Sequence, residues 1–195
     1  MKNLNLLVAV FFLISLGTSC SSDDSTTTNN TNTGRLIING VEKPLLKGYL
    51  KPNYTGNDLN FDKRRFYLIL TNGDVAMENN DYVYADDITQ LIDFNMYCSV
   101  EHPGSIEYTT YNLFNAHTDT DFNDAFIDHS GINTNVVLQN GEFVSGDSLS
   151  SDDMTSGQAT ISHNNGIYTI SFSFSNEENT VTGTYTGTLT ELNYQ

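Results

Sequence analysis

The sequence predicts an all-β domain, an antiparallel β-sandwich or barrel-like fold of about eight to ten short strands behind a polar leader. Apolar and polar residues alternate with period two from Gly34 onward. Asn-Gly pairs punctuate that alternation at 39–40, 72–73, 140–141 and 165–166. No amphipathic helix longer than about two turns can be drawn anywhere in this region.

The strands follow in order. Leu36, Ile37 and Ile38 run into Asn39-Gly40, a favourable two-residue turn, and residues 41–50 return as the partner, with Pro44 confining part of that return to an edge. Residues 66–70 form a short apolar run ending at Asn72-Gly73. Ile92, Phe94, Met96, Cys98 and Val100 then alternate with Asp93, Asn95, Tyr97 and Ser99, which places Cys98 on an apolar face as a core thiol. Residues 106–114 follow Pro103-Gly104, and residues 136–138 and 142–144 flank Asn140-Gly141.

The C-terminal stretch is the most regular. Residues 159–162 and the alternating Tyr168, Ile170, Phe172 and Phe174 flank an Asn164-Asn165-Gly166 turn. Threonine then occupies 180, 182, 184, 186, 188 and 190, with Val181, Gly183, Tyr185, Gly187 and Leu189 between. Because side chains alternate across a strand, the threonines form one wet ladder and the others face the core. Gly183 and Gly187 mark a bend or a close backbone contact.

Composition narrows the function classes. Of 195 residues, 8 are Lys or Arg and 24 are Asp or Glu, a net charge of -16. Phosphate neutralisation needs a basic footprint, so nucleic acid is excluded as a general partner. An anionic lipid surface would likewise repel the bare protein. The chain is 38% hydrophobic, with 11 Phe, 11 Tyr and no Trp, which suffices for one aromatic core.

The first twenty residues read as an address. Lys2 is followed by an apolar run over 6–16 and by the small residues Gly17, Thr18 and Ser19. Eleven apolar residues are too few to cross a hydrocarbon core of roughly 30 Å. The segment 1–19 is therefore expected to be a removed signal peptide. Leu16-Gly17-Thr18-Ser19-Cys20 resembles a bacterial lipobox, with the leucine one step further from the cysteine than usual. That resemblance implies a diacylglyceryl thioether on Cys20, which becomes the mature N-terminus. Residues 21–33 carry no apolar side chain, so 20–33 reads as the lipidated cysteine plus a disordered tether and 34–195 as the folded domain. With Cys20 lipidated, Cys98 has no intrachain disulfide partner. Cys20-Ser21-Ser22-Asp23-Asp24 is similar to the export signal of surface lipoproteins of Bacteroidota, implying the outer face of the outer membrane. Asp24-Ser25-Thr26 and Asp147-Ser148-Leu149 look like the O-glycosylation triplet of the same bacteria.

A wider likeness covers most of 34–195. Ile38-Asn39-Gly40-Val41, Lys47-Gly48-Tyr49, Pro103-Gly104 with Tyr108, and the 159–162, 166–170 and 181–190 segments resemble small β-rich lipoproteins of flavobacteria and their relatives. The shared residues are turn and core residues, so the resemblance implies fold and location and carries no catalytic assignment.

The chemistry-bearing residues fall in acidic segments. Asp119, Asp121, Asn123, Asp124 and Asp128 offer oxygen at close spacing, which is what a hard cation such as Ca²⁺ requires. The EF-hand pattern fails, because its glycine position is Asp124 and its closing glutamate position is Ser130. The plainer reading is solvated loop acids, with no cofactor. A second patch, Glu78, Asp81, Asp86 and Asp87, interleaves with Tyr82 and Tyr84. Tyr82, Tyr84, Asp86 and Asp87 are the candidate ligand-binding set, since a sugar ring stacks on tyrosine beside hydrogen-bonding carboxylates. The plainer alternative there is an exposed loop with one Tyr packed inward. His117 and His129 flank the first acidic segment and are candidates to meet as a transition-metal or haem pair. No nucleophile elbow, His-Glu-x-x-His run or phosphate loop occurs, so no catalytic residue is assigned.

The expectation is a non-enzymatic, outer-membrane lipoprotein that displays a β-domain for binding or adhesion. Capture of a sugar, lipid or haem as accessory to a nutrient importer is the alternative, and glycoside hydrolysis ranks last. A concave pocket lined by Tyr82, Tyr84 or histidines favours capture, two carboxylates facing across a cleft favour hydrolysis, and a convex surface favours adhesion. The oligomeric state is not written in the sequence.

Overall fold

The computed structural model describes residues 32–53, 65–99, 101–102, 106–114, 119 and 124–193. The signal segment, Cys20, the tether up to residue 31, Pro103-Gly104, His117, Asp121 and Asn123 lie outside them; the last two residues of the expected tether are instead ordered, Asn32 accepting from the Thr188 N–H at 3.0 Å and Thr33 opening the first strand.

Strands β1 (Thr33–Ile38) and β2 (Val41–Pro44) form the first hairpin. Asn39 and Gly40 both take positive φ, 50° and 84°, the twist that a two-residue turn between strands needs. The expected single return over 41–50 is interrupted. Pro44 offers no N–H for pairing, and Leu45 is fully buried, its N–H donating to the Gly34 carbonyl at 2.9 Å. The chain turns there and enters the opposite half of the fold. In that half β3 (Lys47–Asn53) pairs with β4 (Arg65–Thr71), and β4 with β7 (Gln90–Tyr97). Between them β5 (Val75–Glu78) and β6 (Asp81–Tyr84) form a separate two-stranded sheet, turning at Asn79 and Asn80, both with positive φ.

The long β9 (Phe126–Gln139) pairs with β7 on one side; on the other it meets β8 (Thr110–Leu113) and β10 (Glu142–Ser150). A 3₁₀ turn at Ser151–Asp153 leads to β11 (Ser156–Asn164), β12 (Ile167–Ser175) and β13 (Thr180–Gly187), which continue the sheet to β1. The last strand, β14 (Thr190–Glu191), crosses back to pair with β3. The result is one 12-stranded sheet folded over on itself, plus the β5–β6 hairpin, a sandwich-like all-β domain with no α-helix among the described residues.

Two expectations are corrected. Fourteen strands are described instead of eight to ten, because several are only two to four residues long. The pairing is also not wholly antiparallel, since β8–β9 and β14–β3 are parallel.

The main core fills the fold-over. Leu68, Leu70, Ile92, Phe94 and Met96 from one half meet Ile170, Phe172, Phe174, Val181 and Tyr185 from the other. Each buried side chain of this size contributes roughly 1.5–3 kcal/mol of apolar burial. Gly183 lies where a Cβ would fall on the Phe172 ring, so the close contact expected of this glycine is real. The alternate threonines of β13 face outward, as their spacing predicts. Cys98 is fully buried in this core, with its Sγ 3.8 Å from the Tyr111 hydroxyl.

A second core lies on the outer face of the β3–β4–β7–β9 half. The β5–β6 hairpin covers it, packing Val75 and Met77, with Tyr82 and Tyr84 at the margin, against Tyr49, Ile69, Leu91, Val136 and Leu138. One strand serves both cores because β9 is bulged. Ile132 faces the main core and Val136 the second, although regular alternation would put them on one side. Between them the register with β10 slips, and Asn135 takes a positive φ of 51°. The Asn135 side chain donates to Asp147 Oδ2 at 2.6 Å and accepts from Lys43 Nζ at 3.0 Å, which holds the bulge.

Candidate ligand-binding cleft

Where the second core ends, the outer face opens into a cleft of about 280 Å³ lined by Tyr84, Leu91, Asp93, Asn133, Leu138, Phe143 and Ser148. Four strands build it: β6 supplies Tyr84, β7 Leu91 and Asp93, β9 Asn133 and Leu138, and β10 Phe143 and Ser148. Leu91 and Leu138 are buried and belong to the second core. Phe143, at 54% exposure, is an aromatic side chain that no core requires. Asn133 is partly buried and Ser148 is exposed, so both present polar atoms to solvent in the cleft.

Asp93 is the acid of the site. It faces Gly131 across the β7–β9 ladder, and a Cβ at Gly131 would stand 2.5 Å from Asp93 Oδ1. Any other residue there would displace the carboxylate, which lies over the strand and accepts from the Gly131 N–H. Burial pushes the Asp93 carboxyl above its usual range, opposed in part by the charge of His129 and by backbone hydrogen bonds. The Tyr84 phenol is pushed up to about 12, first by burial and then by the Asp93 charge, so it stays neutral and able to donate. Both groups line the same cleft.

Of the predicted ligand-binding set, the structure brings only Tyr84 into this cleft. Tyr82 packs at the edge of the second core, with Lys51 Nζ 4.6 Å above its ring, so one aromatic face is covered. Asp86 braces the two hairpins, accepting from the Gly141 N–H at 3.0 Å and thereby holding the β9–β10 turn against β6. Asp87 is exposed, and its carbonyl accepts from Asn72 Nδ2 at 3.3 Å. The segment expected as a loop is thus a hairpin, and its two tyrosines face inward.

The acidic segment is only partly described. Asp119 and Asp124 are exposed, while Asp128 lies on β9, outside the loop it was expected to share, and accepts from Asn95 Nδ2 at 3.0 Å. Burial raises the Asp128 carboxyl above its usual range, against the charges of Arg65 and His129. Among the described residues no group of three or more His, Cys, Asp or Glu side chains is arranged to hold a metal ion. His129 stands 3.6 Å from Asp152 Oδ1, at the 3₁₀ turn.

Two other concavities are less apt. One of about 400 Å³ is lined by Ser99, Glu101, Glu107, Asn112 and Asp124 among others. Glu107 is committed there, with Oε2 accepting from the Ser99 N–H at 2.8 Å and Oε1 3.5 Å from His102 Nδ1. None of its described lining residues is aromatic. The other lies at the β11–β12 turn beside His163, whose ring is stacked 5.2 Å from Tyr108 and tilted at 42° to Tyr168, 4.5 Å away. These rings therefore cover one another.

Sequence reasoning missed Asp93, Asn133, Phe143 and Ser148. Asp93 was visible as a polar member of an alternating strand, but its neighbours come from register, which no local pattern encodes. Comparison with known families, curated proteins and solved structures yields no match, so the site stands on its own geometry.

Proposed function

We propose that this chain is a lipid-anchored protein of the bacterial outer membrane whose β-domain captures a saccharide outside the cell without transforming it. The observation that carries the reading is the cleft, in which Tyr84 and Phe143 offer aromatic surface beside the hydrogen-bonding groups of Asp93, Asn133 and Ser148. Sugar recognition uses that combination, because the ring's C–H face packs on an aromatic side chain while its hydroxyls need polar partners. A volume at the low end of ligand cavities, roughly 300 Å³, suits one sugar unit and not a long groove-bound chain. Among the described residues Asp93 is the one carboxylate lining it, whereas glycoside hydrolysis needs two acids about 5–9.5 Å apart.

The leader supports the location. A thioether-linked diacylglycerol at Cys20 would fix the domain to the membrane at about 0.8 kcal/mol per buried CH₂. A flexible tether over 20–31 would give it a reach of roughly 20 Å by flexible-chain scaling. Such a module would hand its ligand to an importer or hold the cell to a glycan surface. The protein itself supplies position and affinity.

Glycan-array screening followed by calorimetric titration tests the reading. A saccharide ligand is expected, with affinity falling about tenfold or more in Tyr84→Ala, whose lost stacking is on the order of 1 kcal/mol or above. Retention of full affinity in that variant would remove the cleft as the site. The anchor is checked separately by mass spectrometry of the native N-terminus and by Cys20→Ser, which is expected to release the protein from the membrane fraction. Protease treatment of intact cells should degrade the domain if it faces outward.

A further inference from the structure

We infer that the cleft selects a sugar carrying a protonated amine, a hexosamine-type unit, with the Asp93 carboxylate as its anionic contact. This deepens the saccharide reading and rests on it. The first support is the state of the acid. Asp93 is half-buried in the cleft on the outer face of β7, where partial burial penalises its charged form and the backbone N–H of Gly131 is among its donors. A desolvated carboxylate calls for a cationic partner, because hydrogen bonds to neutral donors offset only part of the lost hydration.

Each fixed cation among the described residues has a contact elsewhere. Among the described residues, Arg35 pairs with Glu42, Lys47 with Asp74, and Lys43 donates to Asn135. Lys51 lies over Tyr82, and Arg65 over Tyr67 and near the Tyr97 hydroxyl. His129, which acts on Asp93, is charged only when protonated and is already opposed to Asp152.

The walls supply the second support. Tyr84 and Phe143 line the same space as Asp93, and aromatic faces attract an ammonium through their negative quadrupole. Asn133 and Ser148 remain for the hydroxyls. A neutral sugar would satisfy the walls and these two side chains but bring no charge to the acid. An N-acetylated sugar would in addition press an amide and a methyl group against it.

A matched pair of probes separates the cases: the trisaccharide of β-1,4-linked glucosamine and its fully N-acetylated counterpart. They share rings and linkage and differ at nitrogen. Both are titrated into the full chain at low salt and at a mildly acidic pH where the amine is charged. The amine form is expected to bind about tenfold tighter or more, an increment of about 1.4 kcal/mol. Asp93→Asn should abolish the preference while retaining weak binding of the acetylated form, and circular dichroism checks that the variant is folded. Glu178→Gln, an exposed acid between β12 and β13, should leave the preference intact, since a general pull from a chain of net charge -16 would respond to either substitution. Equal affinity, a preference for the acetylated form, or a preference that survives Asp93→Asn overturns the inference and leaves saccharide capture standing. If neither trisaccharide binds and no other sugar does, both fall.

Discussion

Asp93 costs the fold something that a neutral residue would not. Its carboxyl is raised above the usual 3.8 chiefly by burial, so between the unfolded and folded values the native state holds more protons than the unfolded one. Stability from this group therefore falls as pH climbs from about 3.8, and the penalty is complete above the folded value. Asp93→Asn keeps a carbonyl oxygen for the Gly131 N–H and cannot ionise. Thermal melts should show the variant more stable than the parent at about neutral pH, with the gain shrinking toward zero as the pH approaches about 4. A gain that does not change with pH, or a loss at neutrality, would contradict a penalised charge. At this scale the sequence was legible for the core: Phe94, Met96 and Cys98 are buried as their alternation predicts. It was not legible for Asp93, because the same alternation assigns it to a wet face and says nothing of the hairpin beside that face.

Elements were read best where turn chemistry and alternation agree. Asn39-Gly40, Asn140-Gly141 and Asn165-Gly166 all turn with positive φ at both residues, and β11 to β13 follow their pattern residue by residue. The β5–β6 hairpin was passed over because its turn is Asn79-Asn80, without glycine, inside an acidic run. The extent of β9 was hidden for a different reason: its apolar residues serve two cores, and the bulge at Asn135 reverses their side midway. That bulge is testable. Asn135→Val places a β-branched residue at φ 51° and removes the links to Asp147 and Lys43. Left-handed backbone costs such a residue about 1–2 kcal/mol, before the lost hydrogen bonds are counted. Urea unfolding should register a loss of that order, with Asn135→Gly losing less because glycine accepts the conformation. If the two variants unfold alike, the conformation is not what Asn135 supplies. Because Asn133 lies two residues from the bulge and Phe143 across from Leu138, saccharide affinity is expected to fall in Asn135→Val along with stability.

At the scale of the whole molecule, charge is the dominant property. The chain carries 24 acids against 8 Lys and Arg, and exposed pairs such as Arg35–Glu42 and Lys47–Asp74 offset little of the imbalance, about 0–1 kcal/mol each. Self-repulsion of a net charge of -16 destabilises the compact state, and salt relieves it as the screening length shrinks from about 30 Å at 0.01 M to about 8 Å at 0.15 M. Raising sodium chloride over that range should therefore raise the melting temperature, each kcal/mol gained appearing as about 2–4 °C for a domain of this size. Were surface ion pairs the larger effect, the melting temperature would fall instead. Calcium chloride at matched ionic strength makes the same experiment a test of the acidic segment. Screening alone predicts nearly the same curve for both salts, apart from modest extra neutralisation by the divalent ion. A saturable additional rise at low calcium concentration would mark a bound ion. Its loss in Asp121→Ala would then place that ion in the acidic loop, among Asp119, Asp121, Asn123 and Asp124.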